Sequence, residues 1–279
     1  MRILVTNDDG IDSPGLTVLA NVAKAAGHDV VVAAPAHQYS GASASLIGHE
    51  SDGRLELTTG SPPGLVDGVR AFGVRAAPAL IVFAASYGAF GKRPDLVLSG
   101  VNLGANTGHA TLHSGTVGAA LSAATQGIPA LAASIASADP EHWETAEDVC
   151  RVAFDWLVEH SPEGRVLNVN VPDVPPDRLR GLRTARLADF GAVQAAVKER
   201  GERWVHMSYE EIDVEYEPGT DAYLLAHGWA TSSLLRTPIH DVHKPPPPEF
   251  TTEAAEQDVP VVEVSRGQTM SSGSQEPDS

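Results

Sequence analysis

The chain has 279 residues, of which 42% are hydrophobic, enough for one large domain or for one domain with an appendage. Its formal net charge of −17 argues against an extended nucleic-acid partner, because polyanion binding depends on a basic surface. The single cysteine, Cys150, excludes an intrachain disulfide. The sequence shows neither a signal-peptide core nor an apolar stretch of about 20 residues, so we expect a cytoplasmic protein that does not enter a membrane.

Strand and helix patterns alternate along the first 172 residues. Apolar runs predict strands at 2–6, 29–34, 95–99, 130–134 and 167–171. Amphipathic or apolar segments between them predict helices at 15–26, 78–87, 114–126 and 143–160. This alternation is typical of an α/β fold with a doubly wound, mostly parallel, Rossmann-like sheet.

The pattern changes after Pro172. Residues 173–244 contain β-like runs at 204–209 and 213–216 and a predicted helix at 221–227, so we expect an α+β appendage with a β-hairpin. Four prolines open the last segment, 245–279. Residues 249–279 carry seven acidic residues and one basic residue, which predicts a disordered tail.

Two adjacent carboxylates, Asp8 and Asp9, follow the first strand directly. In an open α/β sheet, ligands bind beyond the carboxyl ends of the strands. Neighbouring carboxylates repel each other unless a cation lies between them, and oxygen ligands suit Mg²⁺, Mn²⁺ or Ca²⁺. The pattern therefore indicates a metal site, although Asn7–Gly10 is equally typical of a simple turn.

Three further polar segments, 38–43, 99–108 and 113–118, follow strands or open a helix. We expect all of them to meet Asp8 and Asp9 at one edge of the sheet and to form a polar pocket. Ser114 is either the N-cap of its helix or, with Gly115 and Thr116, part of a phosphate-binding turn. No Walker or Gly-x-Gly-x-x-Gly pattern is present, which disfavours dinucleotide binding.

Taken together, these segments resemble the SurE family of metal-dependent 5′/3′-nucleotidases. The resemblance rests on five motifs: Val-Thr-Asn-Asp-Asp-Gly-Ile-Asp-Ser-Pro-Gly at 5–15, Ala-Pro…Ser-Gly-Ala at 34–42, Asp-Leu-Val-Leu-Ser-Gly-Val-Asn-Leu-Gly-Ala-Asn at 95–106, Ser-Gly-Thr-Val-Gly-Ala-Ala at 114–120 and Leu-Asn-Val-Asn-Val-Pro at 167–172. It implies hydrolysis of nucleoside monophosphates with one divalent metal ion, Mg²⁺ or Mn²⁺, per subunit. It also implies a homodimer or homotetramer that exchanges C-terminal segments, which assigns oligomerisation to residues 173–244.

The resemblance further implies individual roles. The metal ligands would be Asp8, Asp9, Ser40 and Asn102, with Asp8 and Asp9 also catalytic. The substrate phosphate would be bound by Asn106, Ser114, Gly115 and Thr116. Three departures from the family pattern are His113, where tyrosine is common, Gln38-Tyr39 before Ser40, and the segment 230–235.

Two alternative functions remain at this point. A receiver-like signalling domain also places acids after its first strand and binds Mg²⁺. It needs an aspartate after its third strand and a lysine later in the sheet, and the sequence offers neither at 99–102 or 134–137. A non-catalytic nucleotide or phosphate sensor could use the same pocket.

Overall fold

The computed structural model describes residues 1–189, 193–211 and 216–237. Its strands, in chain order, are β1 (Arg2–Thr6), β2 (Asp29–Pro35), β3 (Glu50–Ser51), β4 (Arg54–Leu55), β5 (Leu57–Thr59), β6 (Arg70–Val74), β7 (Leu96–Leu103), β8 (Ala130–Ile135), β9 (Arg165–Val171), β10 (Leu182–Thr184), β11 (Val193–Arg200), β12 (Val205–Glu211) and β13 (Ala230–Arg236). The α-helices are α1 (Pro14–Ala25), α2 (Pro78–Ser86), α3 (Gly115–Thr125), α4 (Trp143–His160) and α5 (Asp221–Ala226).

Nine strands form the main sheet, in the order β10-β13-β9-β8-β7-β1-β2-β6-β5. The six central strands, from β9 to β6, all pair in parallel. β5 and β13 join the two sides of this block in antiparallel pairing, and β10 pairs in parallel with β13. The predicted doubly wound, mostly parallel α/β fold is therefore confirmed.

Helices cover both faces of the sheet. α1 and α4 contribute to one buried apolar cluster, and α2 and α3 contribute to the other. The central strands are buried on both sides, which explains why they read as continuous apolar runs. Pro14 and Pro78 lie at the first helical positions of α1 and α2, where proline is well tolerated.

The structure contains strands that the sequence interpretation did not predict, including β5 and β6 of the main sheet, and it changes the bounds of β7. β7 continues to Leu103, past the predicted end at residue 99, with a register shift against β8 between Ser99 and Asn102. From the predicted appendage, β10 and β13 join the main sheet, whereas β11 and β12 form a separate hairpin. The predicted run at 213–216 falls almost wholly outside the described residues, and the predicted tail at 245–279 lies outside them entirely.

The strand order of the main sheet reverses direction between β1 and β7. The chain runs from β1 outward to β2 and β6, then returns to place β7 on the other side of β1. Such a reversal opens a crevice beyond the carboxyl ends of the strands, and β1 and β7 end on either side of it. Within the described residues, no helix is both long and apolar enough to cross a lipid bilayer.

Candidate active site

Asp8 lies just beyond β1, with 4% of its surface exposed. Its Oδ1 accepts a hydrogen bond from the hydroxyl of Thr116, and its backbone carbonyl accepts one from the N–H of Tyr39 at 2.8 Å. Burial raises the pKa of the Asp8 carboxyl, while the Thr116 hydroxyl and the backbone N–H groups of the helix start act in the opposite direction. The protein thus holds a carboxyl group where its negative charge is disfavoured.

Asp9 is partly buried and lies next to the charge of Asp8. Its Oδ2 accepts a hydrogen bond from the N–H of Leu103, at the end of β7, at 3.1 Å. Burial, together with the negative charge of Asp8, raises the pKa of Asp9 to about 7, against the lowering effect of the Leu103 N–H. Two carboxyl groups that destabilise each other's charge in this way favour a nearby cation.

The turn that carries these acids is fixed locally. The side chain of Asn7 accepts a hydrogen bond from the N–H of Gly10 and donates one to the Gly10 carbonyl, both at 3.1 Å. Gly10 has a φ of +106°, a conformation that favours glycine. Asn7–Gly10 therefore forms a bend, stabilised by the Asn7 side chain, that places both acids at the edge of the sheet.

Asn102 reaches the same edge from β7. It lies directly beside Leu103, whose N–H binds Asp9, and just after the register shift in the strand. Its Nδ2 donates to the carbonyl of Gly104 at 2.7 Å, so the amide oxygen remains as a lone-pair donor. Irregular strand segments near active sites often redirect a side chain in this manner.

The loop after β2 places Ser40 at the rim of the site. Ser40 is exposed and its Oγ accepts a hydrogen bond from Gln38 at 2.9 Å. The same loop is anchored by Ser43, whose hydroxyl donates to the carbonyl of Leu112 at 2.7 Å. A Cβ on Gly118 would lie 2.3 Å from the backbone of Ser43, so glycine permits this loop to pack against α3.

The start of α3 completes the convergence of the four predicted segments. Ser114 is the N-cap, and its Oγ accepts a hydrogen bond from the N–H of Val117 at 3.1 Å. A Cβ on Gly115 would lie 2.7 Å from Oδ2 of Asp8, so the carboxylate approaches the helix only because this residue is glycine. His113, just before the N-cap, is exposed.

Asn106 is held by residues that the sequence interpretation did not assign to the site. Its N–H donates to Oδ1 of Asn170 at 2.7 Å, and its carbonyl accepts from Nδ2 of Asn168 and of Asn170, both at 3.0 Å. Its own Nδ2 donates to Ser134 at 2.9 Å. Two asparagines inside a buried strand were the available signal, because buried amides are costly unless they are hydrogen-bonded.

The donor atoms fit a hard divalent cation. Among the residues that the structure describes, no group of three or more His, Cys, Asp or Glu side chains could hold a metal ion. A cation at Asp8 and Asp9 would therefore need neutral oxygens as well, and Asn102 and Ser40 bring such oxygens to this edge. The four converging segments contain neither lysine nor arginine, so a metal ion would be the natural counter-charge for an anionic ligand.

Comparisons with known proteins agree with this geometry. The family model described as "Survival protein SurE" matches residues 3–192. The chain belongs to the SurE family. The match includes every residue assigned above to the candidate site.

Curated SurE relatives align over most of their length. The protein named "5′-nucleotidase SurE" from Nitrosococcus oceani is 39% identical, over 86% of this chain and 91% of the relative. The protein of the same name from Methylococcus capsulatus is 38% identical, over 85% of this chain and 91% of the relative. The crystal structure of the SurE protein from Aquifex aeolicus superposes with a TM-score of 0.72 at 28% identity, covering 86% of this chain and 95% of that one.

Proposed function

We propose that this protein is a metal-dependent 5′-nucleotidase that hydrolyses nucleoside monophosphates to nucleoside and phosphate, and that it also accepts 3′-monophosphates. The observation that carries the proposal is the pair of adjacent carboxyl groups, the buried Asp8 and the partly buried Asp9, at the reversal point of a SurE-family sheet. The names of the curated relatives support the same reaction class.

The metal ligands in this proposal are Asp8, Asp9, Asn102 and Ser40, for one Mg²⁺ or Mn²⁺ ion per subunit. When bound, such an ion polarises a phosphoryl oxygen and lowers the pKa of a water molecule. Side chains of the protein carry out the proton transfer. Only one oxygen of Asp9 is engaged by Leu103, so the other can accept a proton from the attacking water. The water oxygen bonds to phosphorus, the phosphorus–oxygen ester bond breaks, and the nucleoside oxygen takes a proton from solvent.

The phosphoryl oxygens are assigned to Ser114, Gly115, Thr116 and Asn106. A helix N-terminus favours anions, and α3 begins at the carboxyl edge beside Asp8. The Thr116 hydroxyl donates to Asp8, and the backbone N–H groups of Gly115 and Thr116 also act on that carboxyl, so a phosphoryl oxygen bound at this turn would share these donors with Asp8. Thr116 therefore has a second role in holding Asp8.

Assembly and location are also proposals. We propose a homodimer or homotetramer that associates through residues 173–244. On the β11–β12 hairpin and its turn, Val197, Trp204 and Val205 are 45%, 56% and 54% exposed. An isolated two-stranded hairpin is marginally stable in water, and exposed apolar residues often mark protein interfaces. Light scattering after gel filtration would measure the number of subunits in the assembly. The proposed cytoplasmic location is based on the sequence alone.

The function is tested by assaying phosphate release from a panel of nucleoside 5′- and 3′-monophosphates with Mn²⁺ or Mg²⁺. We expect turnover of monophosphates, with the panel setting the preference for base and position. Saturable nucleotide binding without any phosphate release would instead favour the sensor alternative. Transfer of phosphate to the protein itself would favour the receiver alternative.

A further inference from the structure

Asp221 is a fully buried carboxylate outside the set of proposed site residues. It is 0% exposed and lies at the start of α5. Its Oδ2 accepts a hydrogen bond from the N–H of Gly108 at 2.9 Å. Its Oδ1 accepts from the N–H groups of Ala188 and Ala222, both at 2.8 Å. One side chain thus joins three segments of backbone that are far apart in the sequence.

Gly108 connects this carboxylate to the candidate active site. It begins the 3-10 helix Gly108–His113, which leads directly to the N-cap Ser114. Two residues before Gly108 lies Asn106, whose backbone is held by the side chains of Asn168 and Asn170. Side chains from β9 and α5 therefore fix both ends of the segment 106–108.

The hydrogen bonds to Asp221 have a clear energetic consequence. Within the described residues, no lysine, arginine or histidine forms an ion pair with Asp221, and backbone N–H groups donate the hydrogen bonds described above. Hydrogen bonds to a buried charged group are stronger than those between neutral groups. Loss of an acceptor oxygen would leave a backbone donor buried without a partner, and the Gly108 N–H would be released or displaced.

We propose that Asp221 is a positioning residue for phosphate binding, acting through Gly108 on Asn106 and on Ser114. This inference rests on the proposed function, since it concerns the phosphate site of the same reaction. It also implies that the C-terminal part of the chain helps to position the phosphate site. The backbone of Ala188, which precedes the β11–β12 hairpin, is joined through Asp221 to the segment that carries the phosphate ligands.

The test is the nearly isosteric variant Asp221→Asn, compared with Asp173→Asn as a matched control. Asp173 also accepts hydrogen bonds from two backbone N–H groups, those of Glu141 and His142, but its contacts involve no proposed site residue. For Asp221→Asn, we expect KM and the inhibition constant of inorganic phosphate to rise by about tenfold, with a smaller change in kcat. Mn²⁺ affinity without substrate should remain near that of the wild type. For Asp173→Asn, we expect only a loss of thermal stability.

Wild-type values of KM and of phosphate inhibition in a folded Asp221→Asn protein would overturn the positioning role. If that variant does not fold, Asp221→Glu provides a second measurement, because it keeps the carboxylate but displaces the oxygen that accepts from the Gly108 N–H. It should raise the same two constants, and unchanged constants would again contradict the inference. A wild-type protein that releases no phosphate from any nucleotide would count against the proposed function, a distinct result.

Discussion

The hydroxyl of Thr116 donates a hydrogen bond to Oδ1 of Asp8, although the two residues are 108 positions apart in the chain. The bond joins the first turn of α3 to the end of β1, across the edge where the candidate site lies. The family resemblance implies only a phosphate-binding role for Thr116. The structure adds a direct contact with an acid that we propose as both metal ligand and catalytic group.

Thr116→Val tests this contact, because valine keeps the shape of the side chain and removes the hydroxyl. Without that donor, Asp8 should lose its orientation, and kcat/KM should fall by about tenfold or more. Mn²⁺ affinity, measured by calorimetry, should fall as well. Thr116→Ser keeps the hydroxyl and should retain most of both properties. Wild-type metal affinity in Thr116→Val would show that the hydrogen bond does not hold Asp8 for metal binding.

Gly115→Ala tests the close approach of Asp8 to α3. Alanine is the better helix former, so helix propensity alone predicts no loss of stability. The new Cβ would lie 2.7 Å from Oδ2 of Asp8, however, and the carboxylate would have to move. We expect a large loss of activity, assayed beside Ser122→Ala in the same helix as a control. Full activity in Gly115→Ala would show that the position of Asp8 is not critical.

The pH dependence of stability should contain a contribution from Asp173. Burial raises the pKa of this carboxyl, but hydrogen bonds from the backbone N–H groups of Glu141 and His142, from the His142 ring and from Ser137 outweigh that effect, so its pKa is lowered overall. A lowered folded-state pKa contributes stability above the unfolded-state pKa, and the contribution disappears as pH falls through the folded-state value.

Asp173→Asn should therefore cost about 1–2 kcal/mol of unfolding free energy near neutral pH. The difference from wild type should shrink as the pH falls below the ordinary value of 3.8. Urea unfolding of both proteins at several pH values measures it. A difference that stays constant down to the acid transition would remove Asp173 from this role.

Much of the fold follows from sequence pattern. The predicted bounds of β1 and α4 agree with the structure, because β1 is a pure apolar run and α4 has a clear amphipathic stripe. β7 is longer than predicted, since its polar end, Ser99–Asn102, resembles a loop yet resumes pairing with β8 after the register shift. β13 was missed because its place in the sheet depends on pairing with β9, about 65 residues earlier in the chain, a contact that local pattern does not reveal.

Some residues of the candidate site can likewise be predicted from the sequence, and others cannot. Asp8 and Asp9 are visible in the sequence because two acids end an apolar strand. The supporting contacts of Asn168, Asn170 and Asp221 are not visible, since each depends on a partner brought near by the tertiary fold. Side-chain patterns therefore indicate which groups could carry chemistry, and the three-dimensional fold determines which groups hold them in place.

The most direct test of the account is phosphate release from nucleoside 5′-monophosphates by the wild type, Asp9→Asn and Asp12→Asn, each with Mn²⁺ and with excess chelator. Asp12 is an exposed acid in the same loop and serves as the matched control. We predict that chelator abolishes wild-type turnover, that Mn²⁺ restores it, that Asp9→Asn loses at least about 10²-fold in rate, and that Asp12→Asn behaves as wild type. Undiminished turnover in excess chelator, or in Asp9→Asn, would contradict the account.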